Sequence, residues 1–487
     1  MPRHASSSRL ALHARSGVQP GHDFGPAVLA LALVALSAGC PTDPDGEEPT
    51  PFVVPPWSDD TPDLSDVDVR GARPYRMIAH LHSPHSHDAC DGEPQPGGVL
   101  DESCLAELKA GLCATRIDVA FLSDHRSHAD EAESFEDLLV LRGDDIPVYD
   151  DAGNAIANSV DCAMADGRRV LLIPGIEANP LMPLGTTQRT PELYADGTPD
   201  NVAQLKEAGA LAWIAHAETH DPADFLDVPI DGLELYQLHA NLAPDLRELL
   251  GLDPFGFLGD LGPFLTERDG RASPEPDLAV LGFATVNDPA AVFLETVGAV
   301  RPIGVTGGSD SHRNVLPSPA WDFERIDSYR RSFRWMLNHL WIDGELTPES
   351  AKQALRGGRN VVVFESIGTP LGFDFRATGT ALEMGGEGPA DGAVLHVVPP
   401  TLDPRSPRDE TPPDVRTVLY RAHEGVRTVV AETMGADPID VAAPGPGVYR
   451  VEVWITPRHL GPYLGDWVDE YTTVEAPWVQ TGGIFLR

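Results

Sequence analysis

Residues 76–88 read RMIAHLHSPHSHD. A short apolar run gives way to a burst of imidazoles and a carboxylate, the pattern of a buried strand that delivers polar side chains to one end of a sheet. His80 and His82 stand two apart, and residues i and i+2 of a strand share a face, so the pair is placed to grip one ion. Four further segments repeat the pattern. The apolar run 117–123 finishes in SDH (123–125), 169–175 in PGIE (174–177), 211–216 in AHAETH (215–220) and 302–307 in GGSDSH (307–312). Strands are also expected at 232–237 and near 338–343, with helices at 102–112, 199–208, 288–299 and 347–356. Such alternation predicts an α/β fold, a seven-stranded TIM-like barrel over about 70–367. Metal-capable residues at five strand ends then converge on the rim where α/β barrels carry catalysis. The Asp-, Gly- and Pro-rich insertions at 126–165 and 245–285 are expected as loops above that rim.

Imidazole nitrogens mixed with carboxylate oxygens suit Zn²⁺, Mn²⁺ or Fe²⁺, and this many ligands exceeds the four of one tetrahedral zinc. More than one ion is implied. A pair of ions clamps the attacking and leaving oxygens of a displacement and makes hydroxide available near neutral pH, so the expected chemistry is hydrolysis. Asp310 and His312 form a second i, i+2 pair. Asp124 is read as an acceptor that fixes the tautomer of His125. Arg126 and Arg313 follow two of the motifs directly and are candidates to hold a substrate oxyanion. His85, His128, His220 and His239 are read as structural side chains, and Ser309 and Ser311 as turn residues.

In order, HLHS (80–83), SDH (123–125), GIE (175–177), AH (215–216) and GSDSH (308–312) resemble the motifs of the polymerase and histidinol phosphatase (PHP) superfamily of metal-dependent phosphoesterases, over roughly 75–365. The resemblance implies a distorted seven-stranded barrel. It makes His80, His82, His125, Glu177, His216, Asp310 and His312 metal ligands, with Glu177 a candidate bridge and with Glu177, His216 and Asp310 catalytic through the metals. A further ligand falls at Asp88, with His87 as the alternative. Trinuclear members carry another His between the Glu and AH motifs, whereas residues 178–215 hold none, leaving Glu192 or water as substitutes; two or three divalent ions are therefore expected. The implied activity is phosphoester hydrolysis by a metal-bound hydroxide on a small-molecule ester. Segment 353–366 with Leu371-Gly372-Phe373 is similar to the tail of the exported branch of the superfamily, whose activities include ester and carbamate hydrolysis. Carboxylic ester, amide or carbamate hydrolysis on the same site is thus a first alternative, and a catalytically retired surface binding protein a second.

Composition bounds the partners. Among 487 residues Lys and Arg number 35 and Asp and Glu 75, a net charge of −40 that argues against nucleic acid. Arg3, Arg9 and Arg15 precede an apolar run at 27–38, too short to span a bilayer, which ends in Ser37-Ala38-Gly39-Cys40. This resembles a lipoprotein signal peptide at 1–39, with Cys40 lipidated and a disordered acidic, Pro-rich tether at 40–69. The expectation is a protein exported to the bacterial cell envelope that meets the membrane only through its lipid anchor. Export permits disulfides among Cys90, Cys104, Cys113 and Cys162. Cys104 and Cys113 lie about 13 Å apart on one helix, too far for a bridge, so two of the three pairings remain. Beyond residue 367 apolar alternation at 394–398, 416–420, 426–431 and 448–454 between Pro and Gly clusters predicts a separate Ig-like β-sandwich over 368–487, without a chemical constellation of its own.

Overall fold

The strand that opens the decisive stretch is the hub of the fold. In the computed structural model, which describes residues 57–58, 60–164, 166–194, 197–265, 273–285 and 287–487, β1 (Arg73–Leu81) is buried along all but its first residue. The expected signal peptide at 1–39, Cys40 and most of the tether lie outside the described residues. In chain order there follow β2 (Val119–Phe121), β3 (Asp124–His125), β4 (Ile146–Tyr149), β5 (Ala155–Asp161), β6 (Arg169–Ile173), β7 (Ile176–Glu177), β8 (Leu181–Leu184), β9 (Leu211–Ile214), β10 (Gly232–Gln237), β11 (Gly304–Ser311), β12 (Leu337–Ile342) and β13 (Asn360–Val363).

β1 pairs in parallel with β2, and β2 with β6. The C-terminal end of β1 pairs in parallel with β11, which continues through β10 to β9, and β8 closes that edge antiparallel. The N-terminal half of β1 instead pairs antiparallel with β12. The result is a large mixed α/β sheet that curls on itself. Phe121 and Ile173 at one end of the series share a core with Leu184, Leu211 and Trp213 at the other. The expected closed seven-stranded barrel is not formed as a continuous ladder. Between β6 and β8 there is a single bridge, Gly175 with Leu184, because Pro174 and Pro183 stand where a ladder needs backbone donors.

The helices form where their caps predict. Asp101 accepts from the amides of Ser103 and Cys104 (both 3.0 Å) to start Glu102–Ala114, and Asn287 accepts from Ala290 to start Asp288–Gly298. Thr347 opens Pro348–Arg356 in a capping box closed by Ser350. The insertions differ from the expected loops. Residues 146–161 form a hairpin, β4 with β5, that extends the sheet beside β6, and 245–285 contains the helix Gly256–Leu265 and the turn Val280–Phe283. Asp124 and His125 leave the main sheet to form the two-residue ladder β3–β7.

The cysteines pair as Cys90–Cys104 and Cys113–Cys162, one of the two arrangements left open by the helix geometry. The C-terminal residues are β-rich as expected. The strand Ala476–Thr481 hydrogen-bonds to β13, so the sheet runs on without a break into Gly447–Thr456 and Asp414–His423. A second sheet, with Asp374–Ala377 and Val394–Val398 at its centre, shares its buried face with these strands through Phe375, Val397, Leu419 and Val451.

Candidate metal centre

The C-terminal ends of β1, β9 and β11 and the small β3–β7 ladder bring eight sequence-predicted residues together. His80, at the end of β1, is fully buried and has a left-handed backbone (φ 57°), as do His216 (47°) and Asp310 (50°). Each such conformation costs a non-glycine residue roughly 1–2 kcal/mol, and strain of this kind gathers at functional sites. His80 and Asp310 lie in one irregularity of the β1–β11 register, between the pairs Ala79–Gly308 and Leu81–Ser311. The extra residue of this bulge is on β11 and sets Asp310 beside His80. The β3–β7 register sets His125 directly beside Glu177.

Glu177 and Asp310 occupy the middle. Glu177 Oε2 faces His125 Nδ1 at 3.1 Å and the Nε2 atoms of His80 and His82 at 3.5 Å each, while its Oε1 faces His216 Nε2 at 3.3 Å. Asp310 Oδ1 lies 3.2 Å from His80 Nε2 and 3.3 Å from His82 Nε2. Asp88 reaches His125 Nε2 at 3.2 Å and His312 Nε2 at 3.4 Å, whereas His87 beside it is exposed. The donor atoms fall into two overlapping groups, His80, His82, Glu177 and Asp310 in one and His82, His125 and His312 in the other. His87, Asp88 and His125 make a third group at the more exposed edge.

The tautomers follow from the partners. Ser86 Oγ donates its one proton to Asp124 (3.0 Å) and so accepts from His82 Nδ1 at 2.8 Å. His80 Nδ1 donates to Glu234 at 2.7 Å, and His312 Nδ1 to the Asp310 carbonyl at 2.9 Å. Each Nδ1–H is spent on a fixed oxygen, and the Nε2 atoms of His80, His82 and His312 are buried without a hydrogen-bond partner, as are Oδ1 of Asp88 and of Asp310. Buried polar atoms are ordinarily satisfied, so this concentration of orphans aimed at one centre fits divalent cations. Asp124 is held by the amide and hydroxyl of Ser83, both at 2.7 Å, and acts on the centre only through Ser86.

Electrostatics agree. Burial disfavours charge on Glu177, yet His80, His125 and His216 outweigh it and hold its carboxyl well below the usual range. Burial is likewise overcome at Asp310 by His80 and His312. Burial also opposes protonation of His125, but Asp88 and Glu177 raise it to about 10, while burial with His312 alongside pushes His82 down to about 4. The carboxylates demand compensating positive charge, which protons supply on some imidazoles and divalent ions supply when bound.

Four residues beyond the sequence expectation touch this centre, namely Glu234, Gln237, His239 and Glu218. Glu234, fully buried in β10, accepts from His80 Nδ1 and, through Oε2, from the His216 amide at 2.8 Å. Gly308 makes that reach possible, since a Cβ there would stand 1.7 Å from Glu234 Oε1. Gln237 donates to Asp310 Oδ2 at 2.8 Å, and His239, read above as structural, lies 2.8 Å from the same oxygen. A charged residue between Leu233 and Leu235 of a buried parallel strand was the available signal. Glu218 holds His216 Nδ1 at 3.3 Å. Glu192 is exposed on a short turn. Arg126 is engaged by Asp130 at 3.0 Å, and Arg313 by Glu107 at 2.8 Å.

No family model and no curated protein matches the chain. Among solved structures it is similar to a two-domain protein from Bacteroides vulgatus ATCC 8482 containing a predicted PHP-like metal-dependent phosphoesterase. The two are 14% identical over 87% of this chain and 99% of that one, with a TM-score of 0.34. A likeness of that size carries no argument about this chain, whose candidate metal centre stands on its own convergent histidines and carboxylates.

Proposed function

We propose that the protein is a metal-dependent phosphoesterase working at two or three divalent ions held by His80, His82, Asp88, His125, Glu177, His216, Asp310 and His312. The observation that carries this reading is the set of three buried imidazoles whose Nδ1–H is committed to an oxygen and whose Nε2 lacks a hydrogen-bond partner at a centre shared with Glu177 and Asp310. Ions bound there supply Lewis acidity and an activated water. Glu177, with one oxygen facing His125 and the other His216, would hold the ions together with those imidazoles. Hydrolysis joins the oxygen of water to phosphorus and breaks the P–O ester bond, and a water proton passes to the departing alcohol. His239, half-buried against Asp310, is assigned that proton transfer.

A second reading, carboxylic ester hydrolysis on the same ions, is favoured by the engagement of Arg126 and Arg313 with neighbouring carboxylates, since a neutral acyl centre has less need of cationic clamps. Rates on p-nitrophenyl phosphate, bis-p-nitrophenyl phosphate and p-nitrophenyl acetate separate the two. Turnover of a phosphoester that vanishes in His80→Ala, with the far-UV circular dichroism unchanged, is expected. Turnover of the acetate alone would replace the phosphoesterase reading, and full phosphoester turnover in His80→Ala would refute the site. The two disulfides support the further proposal that the protein works in an oxidising compartment outside the cytoplasm, consistent with a lipid-anchored exported chain.

A further inference from the structure

Beside the centre lies an open hollow. Asp310, His312 and His239 form one wall. The rest is mainly hydrocarbon, from Leu242, Leu261, Val315, Leu316, Ile326 and Trp335. The polar groups of that lining are already committed within the protein. Trp335 Nε1 donates to the Asp277 carbonyl at 3.0 Å, Ser309 Oγ to the His80 carbonyl at 3.0 Å, and Ser311 Oγ to Ser332 at 2.8 Å. Asp327 accepts from the amides of Val315 (2.8 Å) and Leu316 (2.9 Å) and pairs with Arg325, and Arg313 is paired with Glu107. What the hollow offers a ligand is therefore apolar surface that ends at two proposed metal ligands.

Resting on the phosphoesterase reading above, we propose that the substrate is a phosphate ester bearing an uncharged hydrocarbon substituent, alkyl or aryl, which lies in this hollow while its phosphoryl group meets the ions. A sugar, a nucleoside or a second charged group would give up its hydration against walls that are mainly hydrocarbon, at a cost the apolar side chains do not offset. Each methylene that leaves water for the hollow strengthens binding about threefold to fourfold.

The test uses the full chain loaded with Mn²⁺ and two matched series. Methyl, butyl and hexyl p-nitrophenyl phosphate diesters, which share one leaving group, give kcat/KM, and methyl-, butyl- and hexylphosphonate give Kd by calorimetry without turnover. The proposal expects both to improve steeply with chain length, and expects Leu316→Asn and Leu242→Asn, two half-buried wall positions, to flatten the dependence while the melting temperature holds. Turnover of all three diesters at one rate, with equal phosphonate affinities, would overturn the hollow as the substrate site and leave the phosphoesterase intact. A graded phosphonate affinity without turnover of the diesters or of p-nitrophenyl phosphate would uphold the hollow and refute the phosphoesterase. Loss of the gradient in neither variant would also overturn the assignment to these walls.

Discussion

Glu234 shows how much of the candidate centre is held by a side chain outside its groups of convergent donor atoms. It fixes His80 through Nδ1 and the His216 backbone through its second oxygen, so it aligns ligands from two strands at once. Glu234→Gln keeps the volume and weakens the charge-assisted bond to His80. It is expected to cut metal affinity roughly 10- to 100-fold with little loss of fold, as read by titration with a fluorescent chelator. The convergence of the candidate residues was legible in the sequence because His, Asp and Glu stood at the ends of apolar runs. Glu234, Gln237 and His239 were less so: the charge between Leu233 and Leu235 is a hint, but the rest of LELYQLHA (233–240) reads as a buried strand running into a turn. Away from the centre, burial together with Asp277 and Asp322 raises Glu275 to about 8 from its ordinary 4.5. The folded state therefore binds this proton more tightly than the unfolded chain. The stability it contributes is complete below pH 4.5 and is lost as pH rises toward 8, at up to roughly 1.4 kcal/mol per pH unit. Urea midpoints at pH 5, 6, 7 and 8 should fall less steeply in Glu275→Gln than in wild type; parallel slopes would contradict the shift.

Among the elements, the short segment between β1 and the helix Glu102–Ala114 has the most to hold. It carries Ser83, Ser86 and Asp88. It is tied down by the Cys90–Cys104 disulfide, by the Cys90 amide donating to the His312 carbonyl at 2.9 Å and by the Asn314 side chain donating to the Asp88 carbonyl at 2.9 Å. A bridge closing so short a loop contributes about 3 kcal/mol in the chain-entropy account. Cys90→Ser/Cys104→Ser should lower the melting temperature by several degrees and also weaken metal binding, because Asp88 loses its anchor. A variant with the lower melting point but unchanged metal affinity would show that the disulfide serves the fold alone. Element positions were legible where propensity and tertiary need coincide, as in the capped helices and the apolar parallel strands. The hairpin β4–β5 was hidden, because its Asp- and Gly-rich flanks imitate a loop and only docking against β6 makes it a strand.

Over the whole molecule the sheet is continuous, and this is what the sequence conveyed least. The change of character near residue 368 reads as a boundary, yet β13 passes hydrogen bonds to Ala476–Thr481, and Trp478, fully buried, donates to the Gly368 carbonyl at 2.7 Å. Pairing between strands more than 100 residues apart leaves no local trace in composition. Truncation after residue 367 would bare the edge of β13 and its apolar neighbours, so that product is expected to aggregate or to lack cooperative thermal unfolding. A truncated chain that unfolds cooperatively near the wild-type temperature would show that the C-terminal strands are dispensable.

The central claim is the metal centre, and metal content per chain tests it most directly. By plasma mass spectrometry, wild type loaded with zinc, manganese or iron and then desalted is predicted to retain two or three ions, and an Asp310→Ala/His312→Ala variant to lose them. Near-zero metal in both proteins after loading would contradict the account.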